Sequence, residues 1–264
     1  MAIKFTIEGL LIYVTMVIYL SAFIVGMFGL RKIGEYLFFI GFIVAVINYA
    51  RRWVAAEHIP MQNLFEVFLT LGVLIYPISY FTRKYLTPAR EVFDRLLGVI
   101  VLFPAGFIFK STTQFLPPAL QSSLFAPHVS VYMIAYIIMA MATYHAFAQI
   151  ATAPAAVKST VMNHEVSTYK LVCLGFPFLT LGLILGSWWA QVAWGRYWGW
   201  DPKEMWSLTT WLIFAGYFHF RYMFGRKYSS LNSLWVILGM LAIIITLLWA
   251  NLSRIFTGIH SYAN

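Results

Sequence analysis

The chain has 264 residues, of which 61% are hydrophobic and only 10% are charged, and its mean hydropathy is +0.78. An ordinary soluble domain is excluded, because roughly 25% of the residues of such a domain are charged. The net charge of +9 does not indicate a nucleic-acid-binding protein, since the basic residues stand singly or in pairs between long apolar runs, as in a membrane protein. The single cysteine, Cys173, excludes a disulfide framework, a cysteine-rich metal site and dithiol chemistry within the chain.

Eight apolar runs predict eight membrane-spanning helices, since a span needs about 20 predominantly apolar residues. In chain order they cover roughly residues 9–30, 34–50, 64–82, 96–109, 129–150, 171–190, 205–222 and 230–252. The fourth run is short, and the second and third contain Glu35 and Glu66 near their ends. No small-residue cleavage site follows the first run, which indicates a retained helix and not a signal peptide. The predicted fold class is all-α, a polytopic integral membrane helical bundle with about eight transmembrane helices, forming a single domain over residues 1–264.

The distribution of basic residues predicts that both termini lie outside, because cytoplasmic loops carry an excess of Lys and Arg. With that orientation the inner segments hold Arg31, Lys32, Arg83, Lys84, Arg90, Arg95, Lys158, Lys170, Arg221, Arg226 and Lys227, and the outer segments hold fewer. Arg51 and Arg52 are exceptions, a basic pair on the predicted outer face. Two explanations are open: the pair contacts lipid phosphates, or it has the functional role described below.

Tryptophan is concentrated in one part of the chain. Seven of the ten tryptophans lie within 24 residues, from Trp188 to Trp211, around the predicted connection between the sixth and seventh spans. An interfacial aromatic belt would distribute them over the ends of many helices. The cluster therefore indicates a rigid apolar surface on which a planar ligand could lie. The alternative is a half-helix that lies in the membrane interface.

The segment from Asp201 to Glu204 predicts a helix start. Asp at the cap, Pro at the first helical position and Glu at the third form the pattern that begins a helix. Asp201 is accordingly interpreted as a helix cap and not as a catalytic acid.

The run from Trp194 to Trp206, WGRYWGWDPKEMW, resembles the tryptophan-rich WWD signature of haem-handling proteins in cytochrome c maturation. Related signatures occur in CcmC and CcmF, but the DPKE continuation, the chain length and the single signature loop, at about residues 188–206, are most similar to the CcsA (ResC) family of System II. The stretches at 57–60 and 63–66, the loop residue His128 and the stretch at 258–262 also match the CcsA pattern. The resemblance therefore covers nearly the whole chain.

Two histidines lie at the predicted depth of the tryptophan loop, His128 at the outer end of the fifth span and His260 just beyond the eighth. Neutral imidazole is a common axial ligand of haem iron. Without the family, each is interpreted as a lone surface histidine. The resemblance implies that both ligate the iron of a haem b that is held at the tryptophan loop, with Trp194, Trp198, Trp200, Asp201 and Trp206 as its surroundings.

His219 is predicted to lie deeper. We place it about 13 residues into the seventh span, roughly 20 Å below the outer end. An ionisable residue at such a depth is a functional hypothesis, although a histidine hydrogen-bonded to a neighbouring helix is the alternative. The resemblance implies that His219 ligates the iron of a second, intramembrane haem, whose opposite ligand comes from the partner subunit CcsB (ResB).

The remaining candidates have weaker patterns. His58 matches the family and is interpreted as structural or as an accessory to haem passage. His145, at the inner end of the fifth span, and His164, in the inner loop that follows, are interpreted as ordinary interfacial residues. Arg51, Arg52 and Arg196 are predicted on the outer face, where guanidinium groups suit the carboxylates of haem propionates.

The resemblance implies haem transport and presentation across the membrane. Together with CcsB, it implies covalent attachment of haem to the Cys-x-x-Cys-His motif of apocytochrome c, this chain being the haem-handling subunit of a cytochrome c synthase (haem lyase). The alternatives are a haem exporter without synthase activity and, from another class, a subunit that handles ions, protons or quinone. A proton path would require several acids at mid-depth, and only Glu35 and Glu66 fall within spans, each near an end.

The expected partners are CcsB, apocytochrome c, thiol-reducing maturation factors and membrane lipid. The expected location is the plasma (inner) membrane, or the thylakoid membrane in a plastid, with the active face on the extracytoplasmic side.

Overall fold

The computed structural model describes residues 3–86, 92–152 and 158–249. These ranges contain no strand. Their α-helices are α1 (Ile7–Met27), α2 (Arg31–Ala56), α3 (Leu64–Tyr85), α4 (Phe93–Phe107), α5 (Phe125–Thr152), α6 (Lys158–Trp194), α7 (Pro202–Phe224) and α8 (Ser229–Ile244). A 3-10 turn at Pro118–Leu120 precedes α5, and a π-helical turn at Ile245–Trp249 continues α8. The all-α prediction is confirmed, and within the described residues each predicted span overlaps one helix.

Six of the described helices, α1, α2, α3, α5, α6 and α8, are long and apolar enough to cross a membrane by length and composition. The α4 helix has only 15 residues, as its short apolar run indicated. The α7 helix carries Glu204 in its first turn and Arg221 in its last. The chain is a polytopic membrane protein, while the orientation of its termini stays a prediction.

The described residues form two compact units, and whether the chain is a single domain stays a prediction. The first unit, within residues 1–80 and 91–120, contains α1, α2, α4 and most of α3. Its centre is the buried ring of Tyr19, which packs edge-on against Phe38 and donates a hydrogen bond to the carbonyl of Gly72. Gly41 and Gly98 make room for this ring, because a β-carbon on either would lie within 2.6 Å of it.

Two ion pairs, each with a buried arginine, lie near the two ends of α2 in the first unit. Near the end of that helix, Arg52 contacts Glu66 at 2.8 Å. Near its beginning, Glu35 contacts Arg95 at 2.7 Å, and the Arg95 guanidinium also donates to the carbonyl of Ala22. Glu35 and Glu66, the acids within the predicted spans, therefore each have an arginine partner.

The second unit contains α5, α6, α7 and α8, with α6 packing against both α5 and α7. The interpretation of His145 and His164 as interfacial residues is wrong. Both side chains are buried, at 4% and 5% exposure, and their Nδ1 atoms lie 3.0 Å apart between α5 and α6. The contact between the two imidazoles gives each buried ring a polar partner on the other helix, as buried polar groups require.

Candidate functional site

The tryptophan loop joins α6 to α7 through a short, tightly bonded turn. The α6 helix ends at Trp194, and the chain turns at Gly195 and Trp200, whose φ angles are 74° and 57°. Asp201 then caps α7 by accepting a hydrogen bond from the Lys203 amide. Asp201 is a helix cap, as the sequence predicts.

Glu204 ties the loop to the start of α7. Its carboxylate accepts from the amides of Asp201 and Gly199, at 3.1 and 2.8 Å. The Asp-Pro-Lys-Glu segment thereby begins a helix and also fixes the conformation of the loop before it. Loop side chains that are held in this way form a preorganised surface.

Beside the loop lies an open apolar groove of about 620 Å³. It is lined by Leu183, Ile184, Ser187 and Trp188 from α6, by Tyr197 and Trp198 from the loop, and by Leu208 from α7. Trp200, 69% exposed, stands edge-on to Trp198 with 6.1 Å between ring centroids. This volume falls within the range of small-molecule sites, and an aromatic lining suits a flat apolar ligand.

His128 lies in the first turn of α5 and packs on α6. Its Nδ1 lies 3.0 Å from the carbonyl oxygen of Gly182, and the ring stacks on Trp189 with 5.7 Å between centroids. A carbonyl only accepts, so Nδ1 carries the proton and the lone pair of the neutral ring is on Nε2. This is the tautomer that an Nε2 metal ligand requires.

The predicted tryptophan contacts divide into two groups. Trp194 packs on Trp189 with 4.7 Å between centroids and so belongs to the surroundings of His128, whereas Trp198 lines the groove and Trp200 packs edge-on against Trp198. At 3.6 residues per turn, Gly182 and Trp189 lie on roughly the opposite face of α6 from Leu183, Ser187 and Trp188. The structure thus brings His128 and the groove to the same end of α6 but not to the same face, and it places Trp206 within α7 as a partly buried side chain.

His260 lies outside the described residues, so a shared iron ligated by His128 and His260 stays a prediction. His219 is exposed on α7, and its Nδ1 donates to the carbonyl of Ala215 at 2.9 Å, which leaves the lone pair on Nε2. Because α7 begins at Pro202, His219 lies roughly 27 Å from the cap at Asp201 and not about 20 Å. Its place is little more than one turn before the end of α7 at Phe224, far from the tryptophan loop.

The three arginine candidates differ in their surroundings. Arg51 and Arg196 are exposed. Arg52 is 1% exposed, and its guanidinium donates to Glu66 and to the carbonyls of Ser111 and Thr112. The sequence analysis missed the pairing of Arg52 with Glu66. The presence of Glu35 and Glu66 near the ends of predicted spans was the signal that could have indicated a basic partner for each.

His58 lies in the first unit, in the turn between α2 and α3. Its ring contacts the carbonyls of Ile59 and Gln114, at 3.0 and 3.4 Å. The side chain of the neighbouring Gln62 donates to the carbonyl of Phe115, and the backbone amide of Gln62 donates to the Glu66 carboxylate. These contacts give the family-matching stretch around His58 a structural role in holding the segment after α4.

A family model described as Cytochrome C assembly protein matches residues 5–260. The cytochrome c biogenesis protein CcsA of Guillardia theta is 32% identical over an alignment that covers 98% of this chain and 96% of that protein. The CcsA protein of Pyropia yezoensis is 29% identical with the same coverage. The CcsA protein of Chlamydomonas reinhardtii is 32% identical over 80% of this chain and 63% of its own length, so this chain spans less than two thirds of that relative.

Proposed function

Since this chain belongs to the cytochrome c assembly protein family and acts in cytochrome c biogenesis, we propose that it carries haem b as cargo to the tryptophan-loop end of its second unit. There, with CcsB, it presents the haem to the Cys-x-x-Cys-His motif of apocytochrome c. The loop end faces the extracytoplasmic side of the membrane.

The observation that carries this proposal is the groove beside the tryptophan loop. It is open, lined largely by apolar side chains, and bordered by the rings of Trp188, Tyr197 and Trp198. A porphyrin is a large, flat, apolar molecule, and rigid aromatic rings bind such a surface at little entropic cost. The shape and chemistry of the groove therefore fit haem.

His128 and His260 are proposed as the two ligands of the iron of the outer haem. Because His128 lies on the face of α6 away from the groove, the groove is proposed to receive the haem before these two histidines bind its iron. The hydrogen bond to Gly182 keeps the proton of His128 on Nδ1, so Nε2 is the nitrogen that binds iron. Arg196, which is exposed in the tryptophan loop, is proposed to contact the propionates. For Arg51, a propionate contact stays a prediction.

The haem supplies its vinyl carbons, and the apocytochrome supplies two thiols. Each thioether forms when an S–H group adds across one vinyl double bond, with the sulfur bound to one carbon and the hydrogen to the other. The contribution of this chain is to hold the haem in one orientation, which lowers the barrier by positioning and not by side-chain chemistry.

His219 is proposed as the ligand of an inner haem whose opposite ligand belongs to CcsB. An exposed imidazole on a helix surface, with its lone pair on Nε2, suits a site that a partner subunit completes. Its location near the far end of α7 places this haem well away from the loop.

Co-expression tests synthesis against delivery alone. The chain is produced with CcsB and a reporter apocytochrome c in cells that lack other maturation factors, and the reporter is stained for covalent haem after denaturation. We expect covalent haem on the reporter, and none when CcsB is left out. Haem that co-purifies with the pair without appearing on the reporter would make the chain a delivery protein, and a pair without Soret absorbance would favour the ion- or quinone-handling alternative.

Replacing Trp198 and Trp200 by alanine tests the groove itself. We expect the co-purified outer haem to fall several-fold while the thermal unfolding temperature changes little, because Trp198 lines the groove, Trp200 packs edge-on against it, and neither ring is fully buried. The control is Trp53→Ala, which removes an exposed tryptophan from α2. Unchanged haem occupancy would reduce the loop to a membrane-interface anchor.

A further inference from the structure

The ring of His128 fits into a gap on α6 that only glycine provides. His128 and Tyr132 lie one turn apart on α5, and Gly186 and Gly182 lie one turn apart on α6. A β-carbon on Gly186 would lie 2.5 Å from Cε1 of His128, and one on Gly182 would lie 2.7 Å from the ring of Tyr132. Neither contact is sterically allowed, so each ring occupies space that any other residue would fill.

Three contacts define the position of the imidazole. The Gly182 carbonyl accepts from Nδ1, the indole of Trp189 stacks on the ring face at an interplanar angle of 22°, and the bare Cα of Gly186 lies against the edge that carries Cε1. Tyr132 adds an edge-on contact at 5.2 Å between centroids. Loss of the gap at Gly186 would push the ring away from the carbonyl that fixes its tautomer.

We propose that Gly186 is a positioning residue for the iron ligand His128: its missing side chain keeps the imidazole hydrogen-bonded to Gly182 with the lone pair on Nε2. This inference rests on the proposed function for the identity of the ligand. Small residues also allow close helix packing in membranes. If close helix packing were the only role of Gly186, its replacement should have the same effect as that of Gly175. An added β-carbon on Gly175 would lie 2.9 Å from the terminal Cε of Met139, which is far from His128 in sequence. Gly175→Ala is therefore the matched control on the same helix.

The first experiment uses the haem-free protein. Wild type, Gly186→Ala and Gly175→Ala are labelled with ¹⁵N-histidine, and the tautomer of each ring is determined by long-range ¹H–¹⁵N correlation, the His128 signal being assigned with His128→Ala. We expect the Nδ1-protonated form in wild type and Gly175→Ala and its loss in Gly186→Ala. Retention of that form in Gly186→Ala, or its loss in both variants, would overturn the inference.

A double-mutant cycle covers the case in which Gly186→Ala folds poorly. When the His128 ring is absent, the added methyl group meets no obstacle. We therefore expect Gly186→Ala to lower the unfolding temperature of the wild type but not that of His128→Ala. Equal losses in the two backgrounds would show that Gly186 matters for reasons other than the imidazole.

The last measurement uses the haem-loaded complex with CcsB. We expect the outer haem of Gly186→Ala to change from six-coordinate low-spin to five-coordinate high-spin, and added imidazole to restore six-coordination, as it should in His128→Gly. Failure of imidazole to restore the spectrum would contradict the positioning role. If the wild-type complex holds no haem but the tautomer result is as expected, the proposed function is wrong and the positioning of the ring by Gly186 is not. If the ligation of the outer haem is unchanged in Gly186→Ala, the positioning role is wrong and the proposed function is not.

Discussion

Arg52 shows how surroundings decide the role of a charged side chain. The sequence leaves two interpretations, a lipid phosphate contact and a haem propionate contact. In the structure the guanidinium is buried with Glu66, lies 3.5 Å from Glu8 and stands over the ring of Phe65. Its neighbour in sequence, Arg51, is exposed on α2. Arg52, unlike Arg51, therefore joins α1, α2 and α3 through its contacts with Glu8 and Glu66.

Replacing Arg52 by glutamine leaves the buried Glu66 carboxylate without its cation. We expect the free energy of unfolding to fall by about 3–5 kcal/mol, the usual cost of breaking a buried pair from one side. Thermal or denaturant unfolding in detergent, followed by circular dichroism, measures the loss. The control is Arg51→Gln, for which we expect little change, and equal losses in the two variants would contradict this role.

The positions of His128 and His219 predict two haem sites that can be removed one at a time. His128→Ala should reduce the outer haem and leave the inner one, whereas His219→Ala should deplete the inner haem, because the two residues lie near opposite ends of the second unit. Optical and electron paramagnetic resonance spectra of the complex with CcsB report both populations. Indistinguishable spectra for the two variants would rule out the two-site arrangement.

At the scale of elements, the start of α7 determines the shape of the groove. The capping box of Asp201 and Glu204 begins the helix, and the second bond of Glu204, to the Gly199 amide, fixes the loop that carries Trp198 and Trp200. The segment therefore has a structural role within the surface that we propose to bind haem. Its role follows from hydrogen bonds to the backbone, not from reactive carboxylates.

Two substitutions of Asp201 separate a cap from a catalytic acid. Asn is as good a cap as Asp, so we expect Asp201→Asn to keep both stability and haem attachment, while Asp201→Ala loses about 1 kcal/mol of unfolding free energy. Unfolding in detergent and haem staining of the reporter cytochrome are the measurements. A stable Asp201→Asn protein without haem attachment would identify Asp201 as a reacting group.

At the scale of the whole molecule, the excess of basic residues predicts which ends of the helices face the cytosol. The loop before α7 and the loop after it lie at opposite ends of a 23-residue helix, roughly 34 Å apart. A helix of that length can span the hydrocarbon core of a bilayer. The two loops are therefore suited to report the orientation of the chain.

The single cysteine makes this orientation measurable. In a Cys173→Ser background, we expect Tyr197→Cys to react with a membrane-impermeant maleimide in intact cells, and Lys227→Cys to react only after the membrane is permeabilised. Both positions are exposed, so the difference reports the side of the membrane and not burial. The reverse pattern would place the tryptophan loop in the cytosol.

The sequence by itself determined the helices, the cap at Asp201 and the family, since these depend on local composition and on short motifs whose physics acts between neighbouring residues. Only the tertiary structure decided that His145 and His164 share a hydrogen bond, that Arg52 pairs with Glu66, and that His128 lies on the face of α6 away from the groove. These facts depend on which helix faces meet, and helix packing joins residues far apart in the chain, where hydrophobic periodicity carries no information about the partner.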